Sequence, residues 1–190
     1  MTTIMSDTGH PTGESTPNDS AAADGPLPAG RWDVDPAQSR VGFTVKTMWG
    51  LATVKGHFHR YTGSLEVDET GSHGTLEIES ASLDTKLGKR DDHLRSADFF
   101  SADKHPNVTF TINSIAAAGD GVAIDGDLLI KGSPIHLHLP VTVGGDGGER
   151  LQLTASATVE RETAGMTWNR IGMIKGPAKL DVDLVLERAH

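Results

Sequence analysis

The chain has 190 residues, enough for one domain with a sizeable core or cavity, and carries a formal net charge of −9 with a pI of about 5.4. So acidic a chain repels phosphate backbones, and no run of Lys or Arg offsets this, which excludes nucleic-acid binding and charge-driven adsorption to an anionic membrane. Without cysteine there are no disulfides, no thiolate catalysis and no Cys-ligated metal centre.

Residues Met1 to Gly30 are Ser, Thr, Pro, Gly and Ala with almost nothing bulky, and their charges (Asp7, Glu14, Asp19 and Asp24) are all acidic. A secretory signal needs a basic start and an apolar stretch of roughly 7–15 residues, and the segment has neither. With no signal visible, the protein is expected to be cytoplasmic, and the segment reads as a disordered tail, residues 1–30, because such a composition cannot repay its ordering entropy. No run of eighteen apolar residues exists that would span a bilayer as a helix.

From Arg31 onward the dominant period is two. Val41, Phe43 and Val45 alternate with Gly42, Thr44 and Lys46; Val54, Gly56 and Phe58 alternate with Lys55, His57 and His59. Leu65 to Val67 and Leu76 to Ile78 are shorter runs. Val108, Phe110 and Ile112 follow, then Val122 to Ile130, Ile135 to Val143, Leu151 to Val159 and Ala178 to Leu186. Between them lie turn-forming stretches such as Gly119-Asp120-Gly121, Gly132-Ser133-Pro134 and Gly144 to Gly148. The pattern predicts an all-β, antiparallel, up-and-down meander of about eight strands with one face buried. A meander this long closes into a barrel or splits into a sandwich.

Two stretches break the alternation. Thr85 to Ser96, with Leu87 and Leu94 seven residues apart, predicts a short helix, and Thr47 to Leu51 predicts another short turn. Both belong at a barrel mouth or across one side of it.

The segment Arg90 to Phe110, RDDHLRSADFFSADKHPNVTF, closely resembles the signature of the YceI-like, polyisoprenoid-binding family. Trp32-Asp33-Val34-Asp35-Pro36 resembles that family's opening strand; Gly56, Phe58 and Gly63 its next hairpin; Gly126-Asp127-Leu128 with Lys131-Gly132 its central hairpin; and Arg161 its late arginine. The likeness runs from about Arg31 to Glu187 and is weakest at Glu162 to Lys175. It implies a lipocalin-like barrel over residues 31–190 with an elongated apolar cavity. It also implies an isoprenoid quinone, polyprenyl chain or fatty amide as ligand, no metal or other cofactor, and a homodimer.

The inward parity gives the candidate binding residues. Phe43, Val45, Phe58, Phe110, Ile112, Leu128, Ile130, Leu137, Leu153 and Leu180 are expected to line the cavity, with Met48, Trp49, Phe99 and Trp168 near its entrance. From the residues alone a packed core is an equal reading; the resemblance favours a cavity. A buried chain gains about 0.8 kcal/mol per CH₂, so two or three isoprene units offset an association cost on the order of 4–15 kcal/mol. The expected function is non-catalytic lipid binding, storage or transport.

Two clusters offer rival chemistry. Arg90, Asp91, Asp92, His93 and Arg95 contain a histidine between carboxylates, as a general base would, although ion pairs and caps that tie the helix to the rim, or recognition of a ligand head group, explain them as well. The pairs His57/His59 and His136/His138 each place two rings on one strand face, as metal-binding barrels require, but parity turns both pairs outward.

Overall fold

A computed structural model describes residues 26–146, 148–169 and 172–189. The period-two runs become strands β1 (Gly30–Val34), β2 (Arg40–Thr47), β3 (Ala52–Phe58), β4 (Tyr61–Asp68), β5 (Gly71–Glu79) and the two-residue β6 (Leu83–Asp84). After helix α1 (Gly88–Arg95) come β7 (Asn107–Ala118), β8 (Gly121–Ile130), β9 (Ser133–Gly145), β10 (Arg150–Val159) and β11 (Lys175–Arg188). All pairings are antiparallel, in the order β1-β4-β5-β7-β8-β9-β10-β11, and β1 pairs back to β11 to close an eight-stranded barrel. Of the two architectures open to a long meander, the chain adopts the barrel.

The first hairpin explains why eleven strand segments make eight barrel positions. β1 and β2 form one arm, and β3 and β4 the other, each broken midway. The first break falls at Asp35-Pro36, where proline has no amide hydrogen for the ladder and the Asp35 carboxylate takes the Ala37 amide at 2.8 Å. The second falls at His59-Arg60, whose amides donate to the carbonyl and hydroxyl of Ser82. There β3 leaves β5 and pairs with β6 instead.

This break admits the insertion formed by residues 80–106. With the β2–β3 turn, the β8–β9 turn and the described residues of the connection from β10 to β11 (160–169 and 172–174), it closes one end of the barrel. Lys131 ties these pieces together by donating to the carbonyls of Ala97 (2.7 Å) and Gly165 (3.0 Å). The predicted helix at Thr85 to Ser96 is α1, and the predicted turn at Thr47 to Leu51 is a 3₁₀ turn, Met48–Gly50.

The other end is packed solid around Trp32, which is fully buried among Leu27, Leu65, Val67, Leu151 and Leu186. Its indole N–H donates to the Pro28 carbonyl, and the Arg188 guanidinium lies 4.6 Å from its ring centre. Leu27 corrects the expected tail boundary: a lone leucine among prolines has no period to betray it, yet it is a core residue. Residues 1–25 of the expected tail lie outside the described residues. No helix among the described residues is long and apolar enough to cross a membrane.

Candidate functional site: an apolar cavity along the barrel axis

Inside the barrel is a cavity of about 380 Å³, within the range of roughly 300–1,000 Å³ usual for small-molecule sites. Its wall draws on both core clusters, from Leu65, Ile124 and Leu186 at the packed end to Phe99, Ala164 and Met166 at the capped end. Twelve of the fourteen residues expected at the site line it: Phe43, Val45, Phe58, Phe99, Phe110, Ile112, Leu128, Ile130, Leu137, Leu153, Trp168 and Leu180. Strand parity placed the barrel members, since every second side chain of a barrel strand faces inward.

Met48 and Trp49 are outside that wall. Both have left-handed backbone (φ 50° and 56°), and their side chains are about half exposed. The Trp49 amide nevertheless donates to the carbonyl of Met173, which does line the cavity, so this turn braces the capped end from outside.

All five phenylalanines of the chain face the cavity. Glycines make two of the rings fit. A β-carbon at Gly56 would collide with the Phe43 ring, and one at Gly126 with the Phe110 ring, so each phenyl lies across a neighbouring strand's glycine. At the capped end Phe58 meets Phe100 edge-on, and His93 lies edge-on to both Phe99 (5.2 Å) and Trp168 (4.5 Å). The insertion and the connection thus meet through an aromatic contact over the cavity.

The charged cluster of α1 is mostly occupied in holding this cap. Buried Asp91 accepts from the amide and hydroxyl of Thr85, while Arg90 donates to the Thr85 hydroxyl and carbonyl, each at 2.7 Å. Arg95 donates to the carbonyls of Ala81 and Leu83 and pairs with Asp92. His93 bonds to Asp98 at 3.0 Å. Arg90 and His93 also line the cavity, as does Arg161, from the connection after β10.

The histidine pairs lie outside the cavity wall, one at the end of β3 and one on β9, strands that do not pair with each other. His136 and His138 bond to Asp127 and Asp125 across β8 and β9. His57 and His59 converge with Asp84, the donor atoms of the three lying within 4.8 Å of one another. Lys86 already holds Asp84, through its ammonium and its amide, each at 2.6 Å. These two Lys86 bonds, with a third from His59, keep the Asp84 carboxyl well below the usual carboxylate range. Burial, then the neighbouring His59, pushes His57 below its ordinary value.

Sequence reasoning missed Phe100, Met166 and Met173 in the wall. They sit in irregular segments where no period exists to assign an inward face.

Known proteins bear on this arrangement in two ways. By structure, the chain is similar to BcnA of Burkholderia cenocepacia, with a TM-score of 0.73 at 24% identity over 80% of this chain and 98% of that one. It is also similar to a polyisoprenoid binding domain from Saccharophagus degradans, with a TM-score of 0.71 at 16% identity over 83% and 98% of the two chains. By sequence, it is 32% identical to a UPF0312 protein of Pseudomonas aeruginosa over 154 residues, 77% of this chain and 78% of that protein. A protein YceI of Escherichia coli is 31% identical over the same shares. The sequence pattern of the YceI-like domain matches residues 32–186, from the buried Trp32 to Leu186 in the barrel-closing strand. With that match and the barrel in agreement, the chain belongs to the YceI-like domain family.

Proposed function

We propose that this protein binds, and stores or carries, a long apolar chain without changing it chemically. The observation that carries the reading is the cavity itself: a closed barrel whose axis is lined by aliphatic side chains and every phenylalanine of the chain. The description of the Saccharophagus degradans domain as polyisoprenoid binding supports it. Isoprenoid quinones, polyprenyl chains and fatty amides are the ligand classes of this reading, and a homodimer is its expected assembly.

Physically, such a site needs length and dryness rather than catalytic groups. Each buried CH₂ contributes about 0.8 kcal/mol, so affinity should climb with chain length until the cavity is full. The test is to strip bound lipid under denaturing conditions, refold, and titrate prenyl alcohols of increasing length. Tightening with length, followed by recovery of unchanged ligand, is expected. Affinity independent of length, or a chemically altered prenyl chain after incubation, would overturn the proposal.

A further inference from the structure

The cavity has a charge asymmetry that an apolar chain does not use. Among the described residues its only ionisable lining residues are Arg90, His93 and Arg161, with no Asp or Glu among them, although the chain as a whole carries a net charge of −9. All three come from the segments that close one end, and His93 and Trp168 hold those segments against each other. The opposite end is sealed around Trp32. The cavity is therefore polarised: basic at its capped end, hydrocarbon at the other.

Arg161 is the member with unfinished bonding. It is only 5% exposed. Its Nη2 donates to Glu162 at 3.0 Å, and its Nε reaches the Gly176 carbonyl only at 3.5 Å. Its Nη1 is buried and has no partner among the described residues. A guanidinium is always charged and offers five N–H donors, and a buried donor without an acceptor is costly to keep. Arg90, by contrast, donates to the hydroxyl and carbonyl of Thr85, neutral oxygens that hold it in place beside the cavity. Two arginines at the end of an oily cavity raise the potential where a ligand's head would lie.

We propose that Arg161 is the head-group donor of this cavity and that the ligand is an anionic amphiphile, a long chain ending in a carboxylate or a phosphate. The proposal rests on the reading that the chain itself fills the barrel. In it, Nη1 donates to the head's oxygen, and Arg90 adds field without a required contact. The tail extends toward Trp32.

The test compares palmitate, hexadecyl phosphate and hexadecanol on the delipidated full-length protein. These probes share one chain and differ in the head. At least one of the anions should bind roughly 10- to 100-fold more tightly than the alcohol, as expected for a charge-assisted bond in a dry site. Whichever anion binds more tightly identifies the head. In Arg161→Met the anions should fall to the alcohol's level while hexadecanol keeps its affinity. If that variant does not fold, Arg161→Lys replaces it, with a reduced anion preference expected because the planar fork is lost. Equal binding of all three probes to the unaltered protein would overturn the head-group assignment and leave the chain-binding reading standing. No binding of any probe would instead defeat the chain-binding reading. An anion preference that persists in full in Arg161→Met, or in the Lys variant where it is used, would overturn the role of Arg161.

Discussion

The Phe110 ring lies across the Cα of Gly126 on the neighbouring strand, closer than any side chain at that position would allow. Gly126→Ala would push a methyl into the ring and against the Thr111 carbonyl, 2.5 Å away. Overpacking of this kind costs about 1–3 kcal/mol, and a displaced ring narrows the cavity. Urea denaturation should show that loss together with weaker uptake of the longest ligands. The control is Gly144→Ala, where the nearest atom stands 3.8 Å off; it should stay within about 0.5 kcal/mol of the parent.

Parity in β8 yields a sharper contrast. Leu128 is buried in the wall, while its neighbour Leu129 is 43% exposed on the outer face. Leu128→Asp buries a carboxylate among hydrocarbon and should cost about 3 kcal/mol or more, abolishing ligand uptake as well. Leu129→Asp should change stability by about 0.5 kcal/mol or less and leave binding intact. Equal effects from the two would mean that the strand faces are assigned the wrong way round.

These two residues also show what a sequence conveys. Alternation in β2, β3 and β7 to β11 was legible because each barrel strand has one dry and one wet face, and ten barrel residues of the site followed from it. The capped end was not legible. Phe100, Met166 and Arg161 are brought to the cavity by irregular backbone, where direction depends on tertiary contacts rather than on a period. Leu27 was hidden for the same reason. Arg161 was visible only as part of a resemblance, and its unpartnered nitrogen needs coordinates to be seen.

Asp84 and His57 make the outer face acid-sensitive in two windows. Asp84 has its carboxyl lowered from 3.8, first by the Lys86 ammonium, then by the Lys86 amide and His59. A carboxyl lowered by folding contributes stability above its unfolded value and loses that contribution as pH falls below it. Asp84→Asn should therefore be less stable at neutral pH and flatter below about pH 4. His57 is lowered from 6.5 by burial, so the fold favours its neutral form. That contribution is present above 6.5 and fades as pH falls through it, and His57→Gln should flatten that step alone. Thermal midpoints measured across both ranges check the two signs separately.

Asp91 should govern how fast the cavity exchanges its contents. Its buried carboxylate accepts the Thr85 amide at 2.9 Å and the Thr85 hydroxyl, joining α1 to the end of β6 beside the wall. Asp91→Ala would leave the Thr85 amide buried without an acceptor, at a cost of about 1–3 kcal/mol. The loss falls on the cap rather than on the barrel, because the cluster around Trp32 and the strand ladders do not depend on it. Local opening of the insertion should therefore become more frequent while the rest of the barrel keeps its protection. Hydrogen exchange should quicken at Thr85 and through α1 but not at Trp32 or Leu186. Ligand dissociation should accelerate by about tenfold or more, in line with a loss of about 1.4 kcal/mol from the closed state. Asp91→Asn, which keeps an acceptor oxygen for the Thr85 amide, should fall between the parent and Asp91→Ala. Unchanged dissociation in an Asp91→Ala variant whose helix does exchange faster would show that ligands enter and leave by a route other than the α1 cap.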